Sequence, residues 1–506
     1  MTKEERNIKK AFDGKRNLLL VGPGGTGKST LLREYIETHP ETIVCAPTGT
    51  AAVNIGGVTI HKAFSVPVPA YGANVRDVPE NTVKILAAAD TVIIDEISMC
   101  RNDVFSFMIR VLRKAERKKG SRIRVIASGD FYQLPPVVQK KELKFFKKFD
   151  LDPSGFPFTT KEWSDLNFKV VELNEIKRQS DNDFIEQLNK ARRGDSSCIP
   201  WFNEFVVTED TPVNENTIHI CGTNAEADRI NNDRFNDLYG MPIAFQAITK
   251  GRIGESFVDK IVMFKKGERV IFTVNDVIRN QYQNGTLGTV KEIYENRVLV
   301  EIDGQKNPVF VCPHTWTLHS YKVKNGFLEK NEVGSISQIP LRPAYALTIH
   351  KSQGKTFDEA VITPKTFAPG QLYVALSRVR TPSGLFLTEP IFPEYLLTSD
   401  VVNKFIDNGY TWDAPVKPAK TRKAEPKTTS KTKSKGTAKT TSKKKSKTTP
   451  KGKTTSKAKP KTTSKADKNA RTAKKSAGIK KKTTANSKTT ASKRNKKTAT
   501  KPKKGK

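Results

Sequence analysis

The sequence has few cysteines and no long apolar run. Its 506 residues include five cysteines, which lie far apart and form no Cys-x-x-Cys pair. Such spacing is typical of free, mostly buried thiols in a reducing compartment. No stretch approaches the roughly 20 apolar residues of a membrane span, and the first residues do not resemble a secretory signal. We expect an intracellular protein without a membrane partner; nucleus, bacterial cytoplasm and viral replication site are all compatible with the sequence.

Clusters of metal-binding side chains are equally scarce. The nearest arrangement contains Cys312, His314 and His319, which fall on short segments with β-strand character. We interpret these three residues as ordinary strand positions and not as ligands of a zinc ion.

Acidic residues almost disappear near the C-terminus. From Ala414 to Lys506 there are 35 Lys and Arg but two acidic residues, so this segment carries +33 of the chain's net charge of +37. A self-repelling segment with so few large apolar residues cannot fold alone. We predict a disordered basic tail over residues 413–506, which resembles the tails of linker histones. It is expected to bind nucleic acid without sequence preference, and a solubilising or nuclear-targeting role is the alternative.

The rest of the chain alternates between strand and helix patterns. Four apolar runs near the N-terminus each end in polar or glycine-rich sequence, at residues 17–21, 42–45, 91–94 and 122–127. This alternation predicts an α/β fold with a parallel sheet, whose functional loops lie at the carboxyl ends of the strands. A second α/β region begins near Phe168. Short strands with Asn-Gly and Asp-Gly turns interrupt that region between residues 267 and 338.

A complete P-loop follows the first apolar run. Its nucleotide-binding residues are Gly22, Gly24, Gly25, Thr26, Gly27, Lys28, Ser29 and Thr30. The glycines allow a tight loop whose backbone N–H groups face phosphates at the positive end of the next helix. Lys28 adds a positive charge, and the Ser29 hydroxyl suits Mg²⁺. The strand before and the helix after favour nucleotide binding over a structural glycine loop.

Two later loops carry groups that nucleotide hydrolysis requires. Asp95 and Glu96 end a buried strand, where Asp95 suits the surroundings of Mg²⁺ and Glu96 suits polarisation of the attacking water. Gln133 lies in the sequence GDFYQLPPV after another buried strand and can contact the γ-phosphate. Without a P-loop, the two carboxylates would be interpreted as exposed acids at a strand end, and the loop that carries Gln133 as an ordinary loop. Because both follow a P-loop in this chain, they indicate an ATPase.

A series of motifs, in order, resembles superfamily 1 helicases. Besides the P-loop they are APTGTAA from Ala46, GVTIH from Gly57, DEIS from Asp95, GDFYQLPPV from Gly129, LNEIKRQ from Leu173, ALTIHKSQG from Ala346 and YVALSR from Tyr373. The chain is most similar to the PIF-type and RecD-like branch, which includes the phage helicase Dda. The motifs span residues 22–378, nearly all of the part that is expected to fold.

The resemblance implies a domain organisation. We expect two RecA-like P-loop motor domains, residues 1–166 and 167–412, with ATP in the cleft between them. A pin-like insertion is expected at residues 64–83, and an SH3-like β insertion at residues 267–338.

The resemblance also implies a set of catalytic residues. Lys28, Glu96 and Gln133 belong to the first motor domain, and Arg178 and Arg378 match the arginine fingers of the second. A fixed guanidinium stabilises the charge that develops on the phosphoryl oxygens, an effect of about 10³–10⁵ in rate.

A path for single-stranded DNA follows from the same resemblance. The matching positions are Pro47, Thr48, Thr59 and His61 in the first domain and His350, Lys351 and Ser352 in the second. Hydroxyls, amides and a lysine suit contacts with phosphates that do not read bases. At the expected pin, Phe64 or Tyr71 could stack on a base at a fork, or could equally belong to the core.

The implied function is an ATP-dependent DNA helicase that moves 5′-to-3′ on single-stranded DNA and unwinds forks. We expect ATP and Mg²⁺ as cofactors, a monomer, and a single-strand-binding protein as a further partner. The family usually has a glutamine that reads adenine near residue 5, where this chain has Glu5, so strict preference for ATP is uncertain. A DNA-stimulated translocase without unwinding and a DNA-condensing protein are the alternatives.

Overall fold

A six-stranded parallel sheet is the centre of the first α/β region. The computed structural model describes residues 3–251, 258–276 and 278–412, with side chains described from Arg6 onward. The strands of this sheet are β1 (Leu18–Val21), β2 (Thr42–Ala46), β3 (Val58–Thr59), β4 (Thr91–Ile94), β5 (Arg124–Gly129) and β6 (Lys169–Glu172). They lie in the order β3-β2-β4-β5-β1-β6. Because all pairs are parallel, the loops after these strands meet at one edge of the sheet.

Helices cover both faces of this sheet. They are α1 (Lys3–Phe12), α2 (Lys28–Thr38), α3 (Gly49–Asn54), α4 (Ile60–Phe64), α5 (Glu80–Ala87), α6 (Asn102–Lys119), α7 (Leu143–Lys148) and α8 (Lys161–Leu166). Helix α6 packs Phe105, Phe107 and Met108 into the core on one face. On the other face, α2 contributes Leu32 and Tyr35. None of the helices in the described ranges has the length and apolar content that a bilayer span demands.

A four-stranded parallel sheet organises the second α/β region. Its strands are β7 (Ile218–Cys221), β18 (Ala346–Thr348), β19 (Ala360–Ile362) and β20 (Leu385–Leu387), in the order β18-β7-β19-β20, and the intervening strands are described below. Its helices are α9 (Asn182–Arg193), α10 (Ile199–Asn203), α11 (Asn224–Asp237), α12 (Ile349–Ser352), α13 (Gln371–Leu376) and α14 (Asp400–Asp407). Two parallel sheets with covering helices confirm the predicted α/β fold class.

The chain between β7 and β18 forms smaller sheets. Its strands are β8 (Ile243–Gln246), β9 (Ile248–Gly251), β10 (Ile261–Phe264), β11 (Arg269–Phe272), β12 (Leu287–Tyr294), β13 (Arg297–Ile302), β14 (Val309–Val311), β15 (His314–Lys324), β16 (Phe327–Gln338) and β17 (Leu341–Pro343). One sheet has the order β14-β13-β12-β11-β17, a second has β15-β16-β9, and β10 pairs with β8. The sequence pattern indicated short strands from residue 267 onward, but the structure has strands from Ile243.

The long hairpin β15–β16 reaches back to the first sheet. The Tyr321 hydroxyl accepts a hydrogen bond from the backbone N–H of Val44 at 3.0 Å. Lys330 Nζ donates to the Gly56 carbonyl, and Lys62 Nζ donates to the His319 carbonyl, both at 2.5 Å. The sequence assigned this hairpin to the second α/β region, but the hairpin also forms hydrogen bonds with the first α/β region.

Two predictions lie outside the described part of the chain. The basic tail at residues 413–506 is not described, and neither is the side chain of Glu5, whose backbone belongs to α1. The predicted motor-domain bounds stay predictions. Of the residues weighed as zinc ligands, His314 and His319 lie on β15, and the His314 ring packs edge-on against Trp316.

Candidate nucleotide and DNA sites

The P-loop connects β1 to α2 as the sequence predicts. Gly25 and Gly27 have φ of 88° and 89°, in the left-handed region that favours glycine. Gly27 is the N-cap of α2, so Lys28 and Ser29 open the helix. The Thr26 hydroxyl donates to the Pro23 carbonyl at 3.0 Å and closes the loop. The result is a row of backbone amides at a helix N-terminus, which suits an anion.

Lys28 lies inside this loop. Its Nζ donates to the carbonyl oxygens of Gly22 at 2.7 Å and Pro23 at 2.8 Å. Burial lowers the pKa of the Lys28 ammonium, while the nearby carboxylates of Asp130 and Glu96 act in the opposite direction. These hydrogen bonds hold the ammonium on the phosphate-binding loop.

Asp95 and Glu96 follow β4 at the same edge of the sheet. Asp95 Oδ1 accepts from the Glu96 backbone N–H at 3.0 Å, and Glu96 has a left-handed φ of 52°. Burial, together with the Asp95 carboxylate, raises the pKa of Glu96 to about 7. Burial also raises the pKa of Asp95. Two adjacent buried carboxylates favour a cation between them and the P-loop, and carboxylate and hydroxyl oxygens are ligands that Mg²⁺ accepts.

Both predicted arginine fingers reach the P-loop. A β-carbon placed on Gly24 would lie 2.9 Å from Gln133 Nε2, 3.4 Å from one terminal nitrogen of Arg178 and 3.5 Å from one of Arg378. The side-chain ends of these three polar residues therefore gather over Gly24. The structure brings together Lys28, Glu96, Gln133, Arg178 and Arg378, which are distant in the sequence.

The two arginines are held by backbone oxygens of the second region. Arg378 is 1% exposed, and it donates from Nε to the Val374 carbonyl at 2.6 Å and from a terminal nitrogen to the Lys355 carbonyl at 3.2 Å. Arg178 donates to the Ser377 carbonyl at 3.2 Å. Burial lowers the pKa of both, and for Arg378 the neighbouring Arg178 adds to this effect. Two buried cations so close together favour an anion between them.

The sequence analysis missed Gln353 as a site residue. Its side-chain amide donates to Gln133 Oε1 at 3.1 Å and lies 3.4 Å from Glu96 Oε2. Gln353 thus joins the second region to Gln133 and Glu96 of the first. The signal was its place in the motif ALTIHKSQG, directly after the predicted DNA contacts, but the motif does not reveal which way the side chain turns.

A buried ion pair was also missed. Arg192 on α9 donates to Asp130 Oδ1 at 2.8 Å, and both side chains are at least nine-tenths buried. Gln133 Nε2 in turn donates to Asp130 Oδ2 at 3.2 Å. The pair links the two α/β regions and holds Gln133 beside the P-loop.

The predicted DNA residues of the first region lie at the start of short helices. Thr48 is the N-cap of α3 and accepts from the Ala51 N–H; Thr59 is the N-cap of α4 and accepts from the Lys62 N–H. A threonine hydroxyl that accepts from its helix keeps its own proton free to donate to a phosphate oxygen. Pro47 is half-buried beside Thr48.

His61, on α4, is half-buried. Burial lowers the pKa of its imidazole, which is therefore neutral at pH 7 and contributes a ring nitrogen and not a positive charge.

The second region repeats this pattern at α12. Thr348 caps the helix by accepting from the Lys351 N–H, and His350 and Lys351 are exposed on it. Ser352, in contrast, is fully buried, and its hydroxyl donates to the Ile349 carbonyl at 2.8 Å. The prediction of a DNA contact by the Ser352 side chain is therefore wrong, because packing inside the helix leaves that side chain no surface.

Phe64 was predicted as a candidate for stacking on DNA, and the structure contradicts this. Its side chain is 0% exposed within the core beneath the first sheet. Helix α4 turns Phe64 inward because Ile60 and Phe64 lie on the same face, one turn apart. Tyr71 is half-buried, and its ring stacks on Phe145 at 5.2 Å. Of the two open interpretations for Phe64, membership of the core is confirmed.

Comparison with known proteins gives consistent similarities. Residues 4–199 match the family model described as PIF1-like helicase. Over 404 residues the chain is 30% identical to the ATP-dependent DNA helicase Pif1 of Campylobacter jejuni, covering 73% of this chain and 88% of that one. It is 30% identical over 413 residues to human ATP-dependent DNA helicase PIF1, covering 76% and 60% of the two chains.

Solved structures give the same picture. The structure of Bacteroides sp Pif1 in complex with ADP-AlF4 is 34% identical, with a TM-score of 0.72, and the match covers 81% of this chain and 98% of that one. Bacteroides Pif1 bound to single-stranded DNA is 33% identical, with a TM-score of 0.57 and coverage of 81% and 97%.

Proposed function

Since the chain belongs to the PIF1-like helicase family and is an ATP-dependent DNA helicase, we propose that it moves 5′-to-3′ along single-stranded DNA and separates the strands of a fork. One observation carries this proposal: Arg178, Arg378 and Gln353 of the second α/β region lie against the P-loop and Glu96 of the first. ATP bound at that junction would contact both regions. Its hydrolysis would then change the interactions that hold them together.

Each residue of the junction has a separate proposed role. The P-loop amides and Lys28 bind the phosphates, and Ser29 and Asp95 would hold Mg²⁺, which would neutralise phosphate charge. Glu96 polarises the attacking water. Gln133, tethered by Asp130 and Gln353, senses whether the γ-phosphate is present. Arg178 and Arg378 stabilise the charge that develops during transfer, and they exchange carbonyl partners for phosphate oxygens as they do so.

The grip on DNA is proposed to use the capped helix starts of both regions. Thr48 and Thr59 donate hydroxyl protons to phosphates in the first region, and His350 and Lys351 contact the strand from the second. These groups recognise the backbone and not the bases, so the protein tracks any sequence. Alternate tightening of the two grips during the ATP cycle would move the strand, and the 5′-to-3′ direction is supported by the resemblance of the motifs.

Three further expectations complete the proposal. The basic tail tethers the enzyme to nucleic acid, a single-strand-binding protein is a partner on the exposed strand, and the enzyme acts as a monomer. A reducing intracellular location is supported by the free thiols, of which Cys45, Cys100, Cys198 and Cys221 are buried.

Strand displacement on two partial duplexes tests the polarity. One substrate has a 5′ single-stranded tail and the other a 3′ tail, and salt is kept high enough to suppress binding by the basic tail. We expect ATP-driven unwinding of the 5′-tailed substrate alone. Lys28→Ala removes the positive charge that contacts the phosphates of ATP, and this variant should not unwind either substrate.

The other outcomes separate the remaining possibilities. Unwinding of the 3′-tailed substrate would show that the protein is a helicase that moves in the direction opposite to the proposed one. DNA-stimulated ATP hydrolysis without strand separation would indicate a translocase. DNA condensation that persists in Lys28→Ala, with no effect of ATP, would indicate that the basic tail carries the function.

A further inference from the structure

A row of lysines lies outside the nucleotide and DNA sites described above. The segment begins with a 3₁₀ turn at Lys140–Glu142 and continues as α7. Its five lysines are all exposed, and we call them the lysine face: Lys140, Lys141, Lys144, Lys147 and Lys148. At about 100° per helical residue, these positions fall within an arc of roughly 120°. One side of the segment therefore presents ammonium groups over a length of about 12 Å.

The opposite side anchors the segment to the first α/β region. Arg101 donates to both carboxylate oxygens of Glu142 at 3.0 and 3.1 Å, and its guanidinium lies 5.2 Å from the ring centroid of Phe146. Phe146 is 1% exposed. The one acidic side chain among residues 140–149 is thus turned away to Arg101 and does not neutralise the lysine face.

The expected pin segment packs on the same helix. Tyr71 stacks on Phe145 at 5.2 Å, and a β-carbon on Gly72 would lie 2.6 Å from the Phe149 ring. Lys144 lies 4.9 Å from the Phe145 ring centroid, and Lys148 lies 5.5 Å from that of Phe149. The rings are therefore occupied by one another and by lysines. Phe145 and Phe146 are covered in this way, whereas Phe149 is 41% exposed, and the other exposed groups of the segment are mainly lysines.

The segment that carries the lysine face is attached to the first region close to α4. His61 lies close enough to Arg101 and Asp103 for both charges to act on its pKa, and Arg101 bonds to Asp103 at 2.9 Å as well as to Glu142. These interactions connect α4, which carries the proposed strand contact His61, to the anchored side of the segment, opposite the lysine face. The pin segment lies against the same helix as the lysines.

We propose that the lysine face binds the phosphates of the double-stranded DNA just ahead of the point where the strands separate. The inference rests on the proposed DNA path and adds a second, duplex contact to it. Duplex DNA carries one negative charge per about 1.7 Å of axis and keeps its bases stacked inside. The spacing of these charges matches a positive row of about 12 Å. Each lysine–phosphate contact releases counterions and holds the duplex in line with the pin segment.

The test compares a triple variant with a matched control in the full-length protein. Lys144→Gln, Lys147→Gln and Lys148→Gln together remove three charges from the lysine face. The control Lys114→Gln, Arg117→Gln and Lys118→Gln removes three charges near the far end of α6, an 18-residue helix. Fluorescence anisotropy measures binding to a 5′-tailed partial duplex, to the same fork with a 3′ tail added, and to the 5′ tail alone, over a range of salt.

The expected result is specific to the duplex. For the tailed duplex, the slope of log affinity against log salt should fall by about 2 to 3 in the triple variant, since each lost phosphate contact contributes about 0.9. Affinity for the single strand and single-strand-stimulated ATP hydrolysis should not change. The basic tail is present in every protein compared, so its contribution cancels.

Several results would overturn the inference. The slope of log affinity against log salt could be unchanged in the triple variant, or could fall equally in the α6 control. Either result would show that the lysine face is an ordinary solvated surface. An effect that appears only when the 3′ tail is present would assign the lysines to the displaced strand. A matching loss on the single strand alone would place them on the translocation path. Absence of DNA-stimulated ATP hydrolysis in the unaltered protein would instead reject the proposed DNA function.

Discussion

At the scale of single residues, Glu96 shows how burial prepares a side chain for hydrolysis. The carboxylate lies at the end of a buried strand, beside Asp95 and within the influence of Asp130, and all three conditions raise its pKa. Lys28 and Arg378 oppose this rise. A carboxylate whose pKa lies near 7 is balanced between holding and releasing a proton, which suits a group that activates water at neutral pH.

This balance predicts a pH dependence. Because the pKa of Glu96 is raised to about 7, its ionised fraction falls as pH drops through 7, and kcat/KM for ATP should fall with it. Glu96→Gln should reduce DNA-stimulated ATP hydrolysis by about 10²–10⁴ while ATP binding persists. Steady-state rates between pH 6 and 8.5 test both statements. A flat wild-type profile, or a variant of normal rate, would remove Glu96 from this role.

At the scale of secondary-structure elements, three short helices share one design. Helices α3, α4 and α12 each follow a strand of a parallel sheet and each begin with a threonine that accepts a backbone hydrogen bond. The cap ties the hydroxyl oxygen to the helix; at the half-buried Thr48 and Thr59 the hydroxyl proton stays free to donate, whereas Thr348 is buried. At Thr48 and Thr59, the stability of the helix and the proposed contact with DNA would therefore depend on different parts of the same hydroxyl group.

Substitution at Thr59 should separate the two roles. Thr59→Asp keeps an N-cap acceptor but replaces the donating proton with a negative charge, so Tm should be unchanged while affinity for single-stranded DNA falls about tenfold or more. Thr59→Ser retains both properties and should resemble wild type. Ser399→Asp makes the same change at the cap of α14, away from the proposed path, and should not affect DNA binding. Equal affinities for Thr59→Asp and wild type would exclude this hydroxyl from the DNA contact.

A buried carboxyl group, that of Glu268, lies directly before β11. Glu268 is fully buried; its Oε2 accepts from the Lys265 N–H at 3.0 Å, while its Oε1 has no hydrogen-bond partner among the described residues. Burial raises the pKa of Glu268 to about 7, from an ordinary value of 4.5. The folded state thus prefers the protonated form, and ionisation at higher pH costs folding free energy.

The sign of this effect gives a stability prediction. A carboxyl group whose pKa is raised in the folded state stabilises that state fully below its ordinary pKa of 4.5. This stabilisation is lost as pH rises from 4.5 through the folded-state pKa of about 7. Glu268→Gln removes the ionisation and should become more stable than wild type above pH 7, by about 2 to 3 kcal/mol. Thermal unfolding of both proteins at pH 5 and pH 8 measures the difference. A Tm difference that does not change with pH would contradict the burial argument.

At the scale of the whole molecule, charge is divided between two segments. Residues 1–413 carry a net charge near zero, and the last 93 residues carry +33. We propose that groups within residues 22–378 recognise DNA, whereas the basic segment attracts any phosphate polymer. The two contributions should therefore respond differently to salt.

Ending the chain after Asp413 tests this division. The shortened protein should show a much smaller salt slope for DNA binding, because most counterion release is lost. Its rate of ATP hydrolysis at saturating DNA should equal that of the full chain, since the catalytic groups lie within residues 22–378. A salt slope equal to that of the full chain would show that the basic segment does not tether DNA.

Local sequence was sufficient to predict where these loops lie in the fold. The P-loop, the Asp95-Glu96 pair and the loop that carries Gln133 each depend on a few consecutive residues after a buried strand, and parallel pairing brings such loops to one edge. Glycines with left-handed φ at positions 25 and 27 follow from the motif itself. The fold class followed from the alternation of strand and helix for the same reason.

Only the tertiary structure decided which distant side chains meet. The Arg192–Asp130 pair, the contact of Gln353 with Gln133 and Glu96, and the docking of the β15–β16 hairpin on β2 join segments with no local relation. Tertiary packing also buried Ser352, which the motif left as a DNA contact, and placed Phe64 in the core, which the sequence had left open. A motif specifies the chemical groups and the backbone of its own loop. Exposure and partners depend on what the rest of the chain packs against that loop.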